Sequence, residues 1–433
     1  MSAAFANRLL PVLVEIANAF GTPFHIYDEA GIVEGGHRLN DLFASVAGFR
    51  EFFAVKALPN LRILEMLRRE LGFGFDCASI AELKMARRVG AGADDIIFSS
   101  NNTSREEYAE ALGHGGCILN LDDASFVDKP PFMPELICLR YNPGTLGTGN
   151  AVIGKPQEAK FGLRRDQIAG AYARARERGA KRFGLHAMIV SNEGAYRRVV
   201  AIVEMLLRLC GEISATTGIR FEFVNIGGGI AIPYRPSDKP FNLAALADRT
   251  TKLFARFQGE HGYQPKLFME CGRLITGPHG VLATRVLNVM SKYRDYVGVD
   301  ACMSSLMRPA MYEWAYNHIT AIGQDGQEKH GAAGLVDVVG SLCENNDKFA
   351  RQFPLAPVSE GDYLLIHDTG AHGLAMGFQY NGRLRPKELL LRRDGSVELI
   401  RRAETVEDYL CTQLAFEPHI LMPARAETGA QRR

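Results

Sequence analysis

GFGFDCASIAELKMARRVGAGADDIIFSS, residues 72–100, sets the architecture. GFGFD has the short aromatic alternation of a strand, AELKMARRV (81–89) the mixed charge and apolar spacing of an amphipathic helix, and IIFSS (96–100) returns to strand-forming residues. A strand, a helix and a strand in that order make a right-handed crossover, so the two strands run parallel. The same alternation extends both ways. FFAV (52–55) precedes it, and CILNL (117–121), LICLRY (136–141), FGLHAMIV (183–190), FEFVNI (221–226) and KLFME (266–270) follow. Helical stretches such as LRILEMLRRE (61–70) and RRVVAIVEMLLRLC (197–210) separate most of them. Eight parallel units predict a closed (β/α)8 barrel over residues 34–282, with an open doubly wound sheet as the alternative. Residues 9–20 read as a helix stopped by Gly21, and FHIYD (24–28) as a strand. Beyond residue 283 the alternation stops. LATRVLNVM (282–290), LVDVVGSL (335–342), YLLIHD (363–368) and ELLLRRDGSVELI (388–400), with its hairpin signal RDGS, predict a β-rich second unit, and residues 421–433 a polar, frayed tail.

Bulk properties narrow the function. The 433 residues hold 47% apolar and 23% charged residues, the composition expected of a soluble globular protein. Lys plus Arg (50) balances Asp plus Glu (49), which gives no electrostatic reason to expect nucleic acid or a membrane surface as partner. The eight cysteines form no CxxC pair and read as reduced cytoplasmic thiols, with no metal site expected. MSAAFANRLL lacks the apolar run of a secretion signal, and the most apolar helix, near Val199–Leu209, is broken by Glu204 and Arg208.

A βα-barrel gathers its chemistry at the C-terminal ends of its strands. Lys56 follows the first candidate strand, Asp76 ends the second, Arg140 ends the fifth and Ser191 follows the sixth. Gly227, Gly228 and Gly229 follow the seventh, and Glu270 and Arg273 end the eighth. Taken singly, each has a bland role: a solvated lysine, a turn, an N-cap, a surface ion pair. His186 singly reads as a satisfied barrel histidine. Together on one rim they fit one chemistry. A lysine that is desolvated or near cations loses its proton and forms a Schiff base. A glycine loop lets backbone N–H groups approach a phosphate, and a helix start adds its dipole. A carboxylate facing a pyridine nitrogen keeps it protonated, which makes the ring an electron sink. Lys56, Gly227–Gly229 and Glu270 supply these three parts for pyridoxal 5′-phosphate (PLP).

AVKALPN, GFDCASIAE, EAKFG, NIGGG and ECGR, in this order, resemble the barrel motifs of the fold-type III PLP decarboxylases. LMRPAMYEWAYNHI (306–319), GSLCENNDKF (340–349) and GAHGLAMGFQYNGRLRP (370–386) resemble diaminopimelate decarboxylase most. The resemblance implies a PLP barrel of the alanine-racemase type and a β-rich domain formed by residues 1–33 and 283–420, in a homodimer with shared sites. Lys56 would carry the cofactor, and Glu270 would meet the pyridine nitrogen. Gly228, Gly229, Ser191 and Arg273 would hold the phosphate or a substrate carboxylate. Asp76, Glu82 and Arg140 would orient Lys56 and the cofactor. Cys343 and Glu344 would reach the partner's site, with Cys343 as proton donor. Arg308 and Tyr312 would bind a distal carboxylate, and Tyr380 would lie near cofactor and substrate.

Three positions depart from the family pattern. Met188 stands where a histidine usually stacks on the ring, His372 where a tyrosine meets the phosphate, and Asn345 where a serine helps bind the distal amine. The first expectation is a decarboxylase that converts meso-2,6-diaminopimelate to L-lysine in lysine biosynthesis. The alternatives are a D-ornithine/D-lysine decarboxylase of the same fold, a non-catalytic PLP-fold binding protein, and an alanine-racemase-like activity.

Overall fold

The structure is a computed structural model and describes residues 1–144 and 155–414; the expected tail over 421–433 lies outside them. The first strand, β1 (Phe24–Asp28), stays out of the barrel. The next eight are β2 (Arg50–Ala54), β3 (Gly74–Cys77), β4 (Ile96–Phe98), β5 (Ile118–Leu121), β6 (Leu136–Arg140), β7 (Arg182–His186), β8 (Phe221–Asn225) and β9 (Lys266–Met269). They close a parallel barrel in sequence order, with β2 pairing β9, and the doubly wound alternative is excluded. The strands are short and apolar because both faces are buried, one against helices and one inside the barrel. Phe52, Ile97, Ile118, Leu136, Cys138, Phe223 and Phe268 form the interior cluster. Phe223 stacks on Phe268 at 4.3 Å and Phe52 meets Phe268 at 4.7 Å. Such pairs add about 0.5–1.5 kcal/mol beyond their buried area. The barrel is therefore plugged with side chains rather than open as a pore, and polar residues collect at the strands' C-terminal rim.

The remaining strands form a nine-stranded mixed sheet. They are β10 (Gly280–Ser291), β11 (Asp295–Val299), β12 (Ile319–Ile322), β13 (Gly334–Val339), β14 (Lys348–Leu355), β15 (Tyr363–Ile366), β16 (Lys387–Leu391) and β17 (Val397–Arg401). β1 lies inside this sheet, antiparallel to β10 and parallel to β16, so the N-terminal strand joins the C-terminal half. The expected RDGS hairpin connects β16 and β17.

Two local expectations need correction. The helix expected over 9–20 is two helices, Ala3–Leu9 and Leu13–Phe20, joined by a 3₁₀ turn at Leu10–Val12 that contains Pro11. By length and composition Ala3–Phe20 is apolar enough to cross a membrane, yet Phe5, Leu9, Leu13 and Ile16 pack against Val281 and Leu365 of the sheet. The sixth barrel strand ends at His186 rather than residue 190, so Met188 and Ser191 sit in the loop beyond it.

Candidate active site

Lys56 lies in a single 3₁₀ turn, Val55–Ala57, directly after β2. Its Nζ donates to Asp76 Oδ2 at 3.0 Å; the Asp76 side chain is 1% exposed and that of Lys56, facing the barrel mouth, 49%. Burial lowers the Lys56 pKa, but Asp76 and Glu270 more than reverse this, and the net shift is upward. This corrects the expectation of an amine that loses its proton by desolvation or beside cations. In the chain alone Lys56 is held as an ammonium by carboxylates. Asp76 in turn is raised by burial and by Glu270, with Lys56 opposing.

Glu270 follows β9 and is buried. Its Oε1 accepts from Asn225 Nδ2 at 2.7 Å, and His186 Nε2 lies 3.5 Å from Oε2. Burial pushes this carboxyl up, but His186, Lys56 and Asn225 outweigh it, so Glu270 is held below the usual range and ionised. Asn120 Nδ2 lies 2.8 Å from His186 Nδ1. His186, which singly reads as a structural histidine, thus borders the central carboxylate.

The glycine loop is tight. A Cβ on Gly228 would lie 2.2 Å from the Glu270 carbonyl oxygen, and one on Gly229 (φ +85) 2.1 Å from the Val190 carbonyl. No helix begins here, because the next one is Leu243–His261, so the expected dipole contribution is absent. Gly228 N–H instead meets Met188 Sδ at 3.3 Å. Gly228→Ala must displace the Glu270 backbone, and it is expected to weaken PLP binding by about 1–3 kcal/mol, roughly 5- to 150-fold. Absorbance titration of the apoprotein with PLP measures this, and unchanged affinity would place the loop away from the cofactor.

Arg273 and Arg308 meet on one tyrosine. Arg273 Nη1 donates to Tyr234 OH, and the Arg308 guanidinium carbon lies 4.0 Å from the Tyr234 ring centre and 5.4 Å from that of Trp314. Arg308 is 4% exposed. Its Nη1 donates to Tyr316 O and Asn317 Oδ1, both at 3.2 Å. Among the described residues no carboxylate pairs with Arg308 or Arg273 within 4.0 Å, so Glu270 and Arg273 are not an ion pair. Burial, with Arg273, Lys56 and Arg308 adding, pushes the half-buried His372 down to about 3. Tyr312 stacks on Trp314 at 5.1 Å beside Arg308.

Other expected residues are not brought to Lys56 by direct contact. Arg140 lies 3.4 Å from Asp122 and against the Phe161 ring, and Glu82 accepts from the Ala78 amide. Cys343, Glu344, Asn345 and Tyr380 belong to the sheet unit, where Cys343 N–H donates to Asn381 Oδ1 at 2.8 Å. Within one chain they make no hydrogen bond or ion pair to Lys56 or Glu270. Tyr234 and Asn225 were not singled out in the sequence, although both flank the glycines in FVNIGGGIAIPY.

The residues present fit PLP. An amine, an ionised carboxylate, a cradle that side chains would fill, and Arg273, which has no carboxylate partner among the described residues, match its carbonyl, its protonated ring nitrogen and its phosphate. Asp76 Oδ1 and Asn120 Oδ1 are buried without hydrogen-bond partners at the same place. Fold and rim together define a PLP-barrel enzyme.

Comparison with known proteins narrows this class. Residues 32–277 match the family described as pyridoxal-dependent decarboxylase, pyridoxal binding domain. Protein TabA of Pseudomonas amygdali pv. tabaci is 46% identical over 409 residues, covering 94% of this chain and 95% of TabA. The diaminopimelate decarboxylase of Methanothermobacter thermautotrophicus is 35% identical over 404 residues, covering 92% of each. Among solved structures, the diaminopimelate decarboxylase of M. jannaschii in complex with L-lysine aligns with a TM-score of 0.83 at 28% identity, covering 92% of this chain and 93% of that one. The chain belongs to the pyridoxal-dependent decarboxylases. It is an enzyme, and PLP is its cofactor, which sets aside the non-catalytic and racemase alternatives.

Proposed function

We propose that this decarboxylase acts on an amino acid with a second carboxylate, meso-2,6-diaminopimelate, and forms L-lysine and CO2 in lysine biosynthesis. The observation that carries the proposal is Arg308, a buried guanidinium that, among the described residues, has no carboxylate partner within 4.0 Å and donates hydrogen bonds from Nη1 alone. A carboxylate could take its remaining donors in the paired geometry that guanidinium favours. The naming of the M. thermautotrophicus and M. jannaschii relatives supports the same substrate.

Bound PLP would supply an electron sink for the pair left when CO2 departs. Lys56 Nζ would anchor the cofactor, and Asp76 would hold that nitrogen in place. Glu270 would keep a proton on the pyridine nitrogen, with Asn225 and His186 fixing its carboxylate. Gly228, Gly229, Ser191, Arg273 and His372 would hold the phosphate. Arg308, beside Tyr312, would bind the distal carboxylate and Asn345 the distal amine. Cys343 Sγ of a second copy, or Lys56 Nζ, would return a proton to the α-carbon, with Glu344 and Tyr380 beside it. The exposure of Leu287, Val289 and Leu335 on the sheet unit that carries Cys343 supports a homodimer with shared sites, and the eight unpaired cysteines fit a cytoplasmic location.

A second reading, decarboxylation of D-lysine or D-ornithine, is favoured by Met188, His372 and Asn345, the three departures from the family pattern. A CO2-release panel decides. Release from meso-diaminopimelate, at least about 10-fold above the other substrates in kcat/KM, is expected. Release from D-lysine or D-ornithine alone would overturn the first reading.

A further inference from the structure

Glu51 is fully buried in β2, five residues before Lys56, and has no lysine, arginine or histidine as ion-pair partner among the described residues. A carboxyl in such a position is costly unless its bonds are needed. Its Oε1 accepts the backbone N–H of Cys271, the residue after Glu270, while Oε2 is left without a partner. The β2–β9 seam that closes the barrel has two registered pairs, Arg50 with Phe268 and Glu51 with Met269, so the strand ladder ends before the turn. The turn is held otherwise. Glu270 N–H donates to Gly227 O at 2.8 Å and Gly272 N–H to Glu270 O at 3.1 Å; the amide between them depends on the Glu51 side chain.

We propose that Glu51 is a positioning residue: by holding the Cys271 amide it fixes the turn from which Glu270 and Arg273 reach the cofactor. The inference rests on Glu270 meeting the pyridine nitrogen. An apolar residue at 51 would fill the space but leave the Cys271 donor buried and unsatisfied. The groups that face Glu51 are Glu270 and Cys271 from the turn and Asp76 from β3. Burial pushes its carboxyl up to about 8, with the Cys271 amide opposing and Glu270 and Asp76 adding, so Glu51 is neutral at pH 7. A carboxyl raised on folding stabilises most below its unfolded value and loses that contribution as pH climbs towards its folded value. Ionising Glu51 would place a second negative charge behind Glu270 and loosen the turn.

The test uses holoenzyme and follows PLP release and the absorbance of lysine-bound PLP from pH 6 to 10. Glu51→Ala is expected to release PLP about 10-fold faster at pH 7, in line with one unsatisfied buried donor. Wild type is expected to lose PLP faster as pH passes about 8, and Glu51→Gln, which keeps the acceptor, to retain PLP within about threefold of wild type at pH 7 and to lack that alkaline loss. Wild-type release from Glu51→Ala, or equal loss in both variants, overturns the inference. If Glu51→Ala does not fold, the alkaline limb of Glu51→Gln decides: its disappearance upholds the inference and its persistence overturns it. Glu270→Gln is run in parallel. If its absorbance and release rate match wild type, the assignment of Glu270 itself has failed. If they change while Glu51 variants behave as wild type, only the present inference has.

Discussion

Lys56→Ala is expected to give a folded protein with no measurable decarboxylase activity, at least about 10⁴-fold below wild type in kcat. The visible absorbance of lysine-bound PLP should vanish with it. The loss would be large because, in the proposed mechanism, one side chain both anchors the cofactor and returns a proton to the reacting carbon. The fold should survive, since Lys56 lies at the mouth with its side chain half-exposed and contributes nothing to the apolar clusters. Its removal nevertheless leaves a mark on stability through Asp76. That carboxyl is buried and already raised by burial and Glu270, with Lys56 the main group holding it down. Without Lys56 it rises further. A carboxyl raised on folding binds its proton more tightly folded than unfolded, so stability falls as pH rises between its unfolded and folded values. Melting of the apoproteins should therefore show a deficit of Lys56→Ala relative to wild type that is larger at pH 8 than at pH 5. Residual activity above about 1% of wild type would remove Lys56 from the centre of the mechanism.

The barrel was legible in the sequence because a parallel strand buried on both faces reads as a continuous apolar run, as IIF, ILNL and LICLR do. The rim followed from counting, since Lys56, Asp76, Glu270 and the glycines each fall within a few residues of a strand end. The sheet unit was harder. β14 has an irregular burial pattern with Gln352 at φ +46, and β11 and β12 are short, so none of the three gives a clear period. Tyr234 had no local signal, because its role arises when a loop after β8 brings its ring between Arg273 and Arg308. The protonated state of Lys56 was hidden for a similar reason: spacing shows that Asp76 and Glu270 share its rim, but not that both carboxylates dominate its field. The glycine loop carried the opposite lesson. GGG suggested a helix start, yet the loop's demand is close approach to the Glu270 and Val190 carbonyls.

Arg308→Ala separates substrates. On meso-diaminopimelate kcat/KM is expected to fall by about 100- to 1,000-fold, which is about 2.7–4.1 kcal/mol and within the range for truncating one partner of a buried charge pair. On D-lysine, which has no second carboxylate, the change should stay within about threefold. The structure explains why stability should hardly move. Burial pushes the Arg308 guanidinium down, with Tyr234 opposing and Arg273 adding, so the free chain gains little from keeping this cation inside. Alanine forfeits the face-on contacts with Tyr234 and Trp314, about 0.5–2 kcal/mol, but also removes a buried charge that no carboxylate among the described residues pairs with inside 4.0 Å, Asp368 acting only from further away. The two effects oppose. Arg308→Lys sharpens the result, because it keeps the charge and loses the planar fork, and a substrate bound through paired hydrogen bonds should not be rescued fully. Equal losses on the dicarboxylic and monocarboxylic substrates would show that Arg308 serves the cofactor or the fold, and the choice of diaminopimelate would lose the observation that carries it.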